Sequence, residues 1–135
     1  MLKKEDKFEL RVYYEDTDAG GIVYYANYLK FFERARTEWL RKLDVHQSYF
    51  LEQGLGFVVR KVEMDNLASA KLDDVLTVVS QISEIKRASL KFQQKILKNE
   101  QVICTAEIRI ACVNLQRVKP CSIPESILGA LKSGS

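Results

Sequence analysis

Apolar and polar residues alternate one for one along three stretches of this chain. Phe8, Leu10, Val12 and Tyr14 alternate with Glu9, Arg11 and Tyr13. Leu90, Phe92 and Ile96 alternate with Lys91, Gln93 and Lys95. Val102, Cys104, Ala106, Ile108, Ile110 and Cys112 alternate without interruption. A period of two is that of a half-buried strand, so strands are predicted over residues 7–14, 90–96 and 102–112. Two further runs are rich in β-branched residues. Residues 57–66 carry Phe57, Val58, Val59, Val62 and Met64, and residues 73–86 carry Val75, Val78, Val79, Ile82 and Ile85. The longest helical pattern lies between the first two strands. Leu29, Phe32, Arg36, Trp39, Leu40 and Leu43 recur at helical spacing, with Glu33, Arg34, Thr37, Arg41 and Lys42 between them. That pattern predicts an amphipathic helix over residues 25–43.

The connections follow from local chemistry. Residues 44–48 break the long helix, and a short helical piece over 47–53 ends at Gly54 and Gly56. Residues 67–72 connect two strands, and Arg87 and Ala88 form a bend. Residues 98–101 read as a hairpin turn. Pro124 suits the first position of a C-terminal helix containing Ile127, Leu128 and Leu131, and the last three residues are expected to fray. The order is strand, central helix, then consecutive strands. That predicts an α+β fold, an antiparallel sheet packed on one long helix.

Composition narrows the function classes. A length of 135 residues suits one domain with a real core. With 47% hydrophobic and 29% charged residues the chain is globular rather than disordered. A net charge of +3 without a Lys/Arg block does not suit nucleic acid, but leaves room for a basic patch that holds a small anion. The charged residues 1–7 do not form a secretory signal. No apolar run approaches the roughly 18 residues that cross a membrane, so no transmembrane segment is expected and the expected compartment is the cytoplasm. Cys104, Cys112 and Cys121 are odd in number and lack a CxxC pair. They suit neither a metal site nor a disulfide framework, and are read as small core residues.

Familiar catalytic devices are absent from the sequence. There is no G-x-S-x-G elbow, and neither phosphate-binding glycine loop is present. The single histidine, His46, falls in the polar break and is read as a surface or helix-start residue. Asp16, Asp18 and Gly21 fit the first, third and sixth positions of a calcium loop. Gly20 and Asn27 fail the fifth and twelfth, so no metal is expected.

What remains is the junction between the first strand and the long helix, EDTDAGGIVYYANY, beginning at Glu15. Gly20 and Gly21 allow a sharp turn and close approach. A helix start offers unpaired N–H groups and a positive dipole end. Asp18, just before it, is the best catalytic candidate: a carboxylate can activate water or attack a carbonyl directly, while backbone N–H groups stabilise the developing oxyanion. The competing reading of Asp18 is a turn or cap carboxylate. Asp16 is read as structural, bonding to loop amides, and Asn27 as a cap or loop-fixing side chain near the substrate. Glu33 is read as an ion-pair partner on the helix.

The run RVYYEDTDAGGIVYYANYLKFFERARTEWL, beginning at Arg11, closely resembles the hotdog-fold acyl-CoA thioesterases. Within them it is most similar to the 4-hydroxybenzoyl-CoA thioesterase family and its bacterial branch associated with the Tol-Pal envelope system. Weaker similarity continues through FVVRKVEMDNLASAKLDDVLTV. The resemblance implies a single hotdog domain over residues 1–135, a coenzyme A thioester substrate and no cofactor. It assigns catalysis to Asp18 and the oxyanion donor to the backbone N–H of Tyr25. Relatives in the Tol-Pal branch often carry His where this chain has Tyr25; a backbone donor survives that change. Gly20, Gly21, Ile22, Val23 and Asn27 are the substrate-binding candidates in the loop. Arg60, Arg87, Ser89 and Lys91 are candidates for the phosphates of coenzyme A. The resemblance also implies a homo-oligomer, dimer or tetramer. The alternative function on the same fold is a non-hydrolytic acyl-CoA or acyl-carrier-protein binding protein linked to envelope or phospholipid metabolism.

Overall fold

The structure is a computed structural model that describes residues 5–134, with side chains through Lys132. Residues 1–4 and the final Ser135 lie outside it; of the three residues expected to fray, the other two are the last of the C-terminal helix. In chain order the elements are β1 (Asp6–Arg11), α1 (Asn27–Lys42), α2 (Gln47–Glu52), β2 (Leu55–Asn66), β3 (Val75–Ile85), β4 (Ser89–Lys98), β5 (Gln101–Asn114), β6 (Lys119–Pro120) and α3 (Glu125–Gly134). All pairings are antiparallel, in the order β1-β3-β4-β5-β2, with β6 beside β5. One face of the sheet and the apolar stripe of α1 close on a single hydrophobic cluster. This is the sheet on one long helix that the periodicities predict.

The helix buries Tyr28, Phe31, Phe32, Ala35, Trp39 and Leu40. Trp39 meets Phe92 of β4 edge-on at 6.2 Å between centroids. Such a contact adds about 1 kcal/mol to the burial itself. Asp44 ends the helix at φ +62° while the Val45 N–H donates back to the Leu40 carbonyl at 2.8 Å. A left-handed residue after the last turn satisfies carbonyls that would otherwise be orphaned. The same stripe also buries a polar network. Arg36 Nη1 donates to Gln94 Oε1 at 2.9 Å, and Gln94 Nε2 donates to the Phe32 carbonyl at 3.0 Å and to Ser80 Oγ at 2.9 Å. Burial pulls the Arg36 guanidinium down to about 10.

Several boundaries differ from the sequence pattern, each for a local reason. The first strand ends at Arg11 rather than residue 14, because Tyr14–Asp16 wind into one 3₁₀ turn with Tyr13 and Tyr14 exposed. The long helix begins at Asn27 rather than residue 25. Its first bonds are three-residue ones, from the N–H groups of Asn27, Tyr28 and Leu29 to the carbonyls of Tyr24, Tyr25 and Ala26. The alternation from Val102 to Cys112 is interrupted. Ile96 pairs with Cys104 and Leu97 with Val102, so Ile103 is a bulge residue, and it is buried. Asn99 and Glu100 both take positive φ in the β4–β5 hairpin, the geometry of a tight mirror-image turn. Pro124 precedes α3 and caps it, its carbonyl accepting from Ile127 and Leu128. The two-residue β6 had no signal in the pattern.

β2 is an edge strand of a different character from the others. It pairs only with β5 among the described residues, and its Val58, Val59 and Val62 are exposed. An apolar, unpaired edge is a template for another strand.

Candidate active site

The loop between β1 and α1 is a small ladder of its own. The Asp18 N–H donates to the Ile22 carbonyl at 2.9 Å, the Gly21 N–H to the Asp18 carbonyl at 3.0 Å, and the Tyr24 N–H to the Asp16 carbonyl at 3.2 Å. Thr17 and Val23 form an isolated antiparallel bridge. Gly21 sits at φ +77°, where a side chain would be strained. The ladder is pinned to the connection before β3. Val23 donates to the Ala70 carbonyl at 2.9 Å, Leu72 donates to the Gly21 carbonyl at 3.0 Å, and Ile22 bridges Lys71. Tyr28 completes the anchor, its hydroxyl accepting the Ala70 N–H at 3.0 Å inside the core. Burial raises its phenol above the usual range.

The two aspartates of the loop do different work. Asp16 is 6% exposed, and its Oδ2 accepts the Tyr13 N–H at 2.9 Å. Its carbonyl accepts Asn27 Nδ2 at 2.8 Å. Both Asp16 and Asn27 therefore fix the loop, with one of the two Asn27 amide N–H groups used within the protein. Asp18 is exposed. Its Oδ1 accepts the Gly20 N–H at 2.9 Å and lies 3.4 Å from the Ile22 nitrogen. Its Oδ2 has no hydrogen-bond partner among the described residues, and no cation pairs with it there. One oxygen is thus held by an Asx-type turn and the other is without a partner among the described residues. The turn and catalytic readings of Asp18 are compatible.

Tyr25 lies in the turn just ahead of α1, with its side chain 56% exposed and its ring 5.1 Å from that of Tyr24. Its N–H donates to no group among the described residues, because the helical bonds begin with Asn27. Gly20, Gly21, Ile22 and Val23 are the turn and return leg of the loop ladder that runs from Asp18 to Tyr25, so the loop candidates share one continuous segment.

The phosphate candidates are only partly brought together. Arg60 and Ser89 share a shallow cavity of about 420 Å³ with Lys61, Lys86 and Arg109. Ser89 is buried, and its Oγ accepts Arg109 Nη1 at 3.2 Å. Lys91 lies outside that cavity and is paired with Glu107 at 2.8 Å and with Glu84 at 3.6 Å. Arg109 also pairs with Glu84, at 2.9 Å, and holds that carboxyl below its usual range. Arg87 turns away from the cavity to donate from Nε to Ser122 Oγ at 2.8 Å. Arg109 was missed because nothing in the β5 alternation separates it from other outward-facing residues. The Ala70–Leu72 contacts were missed because they are distant in sequence from the loop.

Other side chains are placed away from this site. His46 caps α2, with Nε2 2.9 Å from Asp44 Oδ1. Glu33 accepts from Thr37 Oγ1 at 2.6 Å, and its charge acts on Arg36 without a close ion pair among the described residues. Cys104 and Cys112 are buried on the core face of β5, whereas Cys121 is only partly covered. Among the described residues no cluster of His, Cys, Asp or Glu has a metal-binding arrangement. No described helix is long and apolar enough to cross a membrane.

The sequence profile of the thioesterase-like superfamily matches residues 12–131 of this chain. The acyl-CoA thioesterase YbgC of Haemophilus influenzae is 47% identical over 96% of this chain and 96% of its own length. The acyl-CoA thioester hydrolase YbgC of Escherichia coli is 42% identical over 93% of this chain and 95% of its own. Among solved structures, a probable thioesterase from Bartonella henselae superposes with a TM-score of 0.84 at 38% identity. That superposition covers 90% of this chain and all of the other.

Proposed function

The chain belongs to the thioesterase-like superfamily and has its hotdog fold, and from that premise we propose that it is an acyl-CoA thioesterase working through Asp18 and the Tyr25 N–H. The reaction takes an acyl-CoA and water to a free acid and coenzyme A. The observation that carries the assignment is the division of labour on Asp18. The Gly20 amide fixes Oδ1, while Oδ2 has no partner among the described residues, and the Tyr25 N–H at the other end of the same loop has none there either.

In the base route, Oδ2 takes a proton from water as the water oxygen attacks the thioester carbon. In the nucleophilic route, Oδ2 attacks first and water opens the resulting anhydride. In both, the C–S bond breaks and the departing sulfur takes up a proton. The Tyr25 N–H, at the positive end of α1, stabilises the carbonyl oxygen as charge grows on it. A positioned base contributes about 10²–10⁴-fold and one oxyanion donor about 10²–10³-fold. A thioester is more reactive than an amide, so one carboxylate and one backbone donor suffice without a triad.

The acyl-CoA nucleotide takes its charge partners from the Arg60, Lys61 and Lys86 cavity, with Arg87 at the neighbouring bend. Lys61 and Lys86 are paired with Glu63 at 3.2 Å and Glu84 at 3.4 Å, as Lys91 and Arg109 are with their own carboxylates, so Arg60 is the cation of that cavity without an ion pair among the described residues. The working form is a homo-oligomer of single-domain protomers, its contact made by a second copy along the exposed β2 edge. The support is the apolar character of that edge.

The test is release of coenzyme A thiol from a panel of acyl-CoAs with short, long and aromatic acyl groups. Turnover of one class defines the substrate. A protein that binds these compounds but hydrolyses none would be a carrier or scaffold instead.

A further inference from the structure

Thioester hydrolysis leaves one pair of reactive groups unused. Cys112 lies near the end of β5, and Cys121 directly follows β6. The register pairs Val113 with Pro120 and Asn114 with Lys119, which sets the two cysteines opposite each other. The Cys121 N–H donates to the Cys112 carbonyl at 2.9 Å. Both thiols are free, and their Sγ atoms are 3.4 Å apart. The Cys112 N–H donates to the Ala88 carbonyl at 2.8 Å, so one bond joins the pair; opposed residues of antiparallel strands have Cα atoms about 4.5–5.5 Å apart, inside the ~4.4–6.8 Å span of a disulfide. A bond of about 2.05 Å then needs only a small movement of each sulfur. The third thiol provides a contrast: Cys104 is buried elsewhere on β5, with its sulfur 3.5 Å from Asn66 Oδ1.

We propose that Cys112 and Cys121 form a redox modification site that takes a small-molecule disulfide as its oxidant and closes to an intramolecular disulfide. Cys121 is the more exposed member and reacts first. Its thiolate attacks one sulfur of R–S–S–R, forming a mixed disulfide and releasing RS⁻. Cys112 then attacks Cys121 Sγ, and the second RS⁻ departs. The two protein thiol protons end on two RSH, and two electrons pass from the protein to the small disulfide. Burial, with the Cys121 sulfur alongside, pushes the Cys112 thiol up to about 12. Because it is the thiolate that attacks, this keeps Cys112 from reacting first, and its later attack on Cys121 Sγ rests on the 3.4 Å that already separates the two sulfurs. The closed bridge ties β5 to the strap entering α3. Ser122 and Ile123 of that strap hold Arg87, through Oγ and the backbone N–H, each at 2.8 Å.

The test equilibrates the full chain with oxidised and reduced glutathione at graded ratios, traps the remaining thiols and maps peptides by mass. The expected result at oxidising ratios is loss of two of the three thiols in one step. The Cys112 and Cys121 peptides should then be linked within one chain, with the species two hydrogens lighter. Cys104→Ser should behave as wild type, whereas Cys112→Ser should stop at a glutathione adduct on Cys121. A wild-type protein that keeps all three thiols, holds the adduct on Cys121 without closing, links Cys104, or forms only links between chains would overturn the proposal. The peptide map of wild type decides the matter even if a serine variant does not fold. Catalysis is not the readout, so the result is independent of the thioesterase assignment.

Discussion

Asp18 and the glycines beside it carry separable burdens. Gly21 has open space around an added Cβ, but its φ of +77° disfavours any side chain. Gly20 has no such backbone demand, yet a Cβ there would lie 3.4 Å from Asp18 Oδ1. Gly21→Ala is therefore expected to lower stability by about 1–2 kcal/mol, the cost of left-handed backbone in an L residue. Gly20→Ala is expected to leave both the melting point and kcat nearly unchanged, because a Cβ at 3.4 Å from Asp18 Oδ1 makes only an ordinary van der Waals contact. Thermal melts alongside steady-state rates check both, and a stable Gly21→Ala beside a destabilised Gly20→Ala would show that the loop does not hold this backbone. This loop was legible in the sequence because its parts are consecutive. The backbone contacts that pin it, from Ala70 to Leu72, were not legible, since nothing local marks them.

At the scale of elements, α1 is joined to the sheet by a buried polar bridge as well as by apolar packing. Helical spacing placed Arg36 on the inner stripe but could not show its partner, because Gln94 lies on a strand far away in sequence. Its neighbours Leu90, Phe92 and Ile96 announce an apolar face, and Gln94 occupies that same face. Removing one member of a buried network leaves its partners unsatisfied. Gln94→Leu strands the Arg36 Nη1 donor and the Ser80 hydroxyl, so it is expected to destabilise by about 3 kcal/mol, hydrogen bonds to charged groups being the stronger ones. Denaturant melts measure this directly. A variant as stable as wild type would mean that the bridge contributes nothing net. The strand alternation was read correctly in kind, and it failed where pairing geometry intervenes. The Ile103 bulge depends on register with β4, which one strand's own sequence does not encode.

For the molecule as a whole, the fold class followed from the order of periodicities, because each element carries its own amphipathic pattern. The assembly is a different matter. Val58, Val59 and Val62 read as ordinary strand residues, and only the sheet order reveals that they lie on an open edge. Val58→Glu combined with Val62→Glu is expected to shift the protein to monomer in sedimentation equilibrium. An unchanged oligomer would place the contact elsewhere on the surface.

The account turns on Asp18, and one comparison tests it most directly: kcat for the best acyl-CoA substrate, wild type beside Asp18→Asn, with folding checked by the melting curve. The amide keeps the size and an oxygen for the Gly20 N–H but can neither accept water's proton nor attack as a carboxylate. The expected loss is about 10²–10⁴-fold with the fold intact. A folded variant that keeps wild-type turnover would remove Asp18 from the chemistry and require another catalyst.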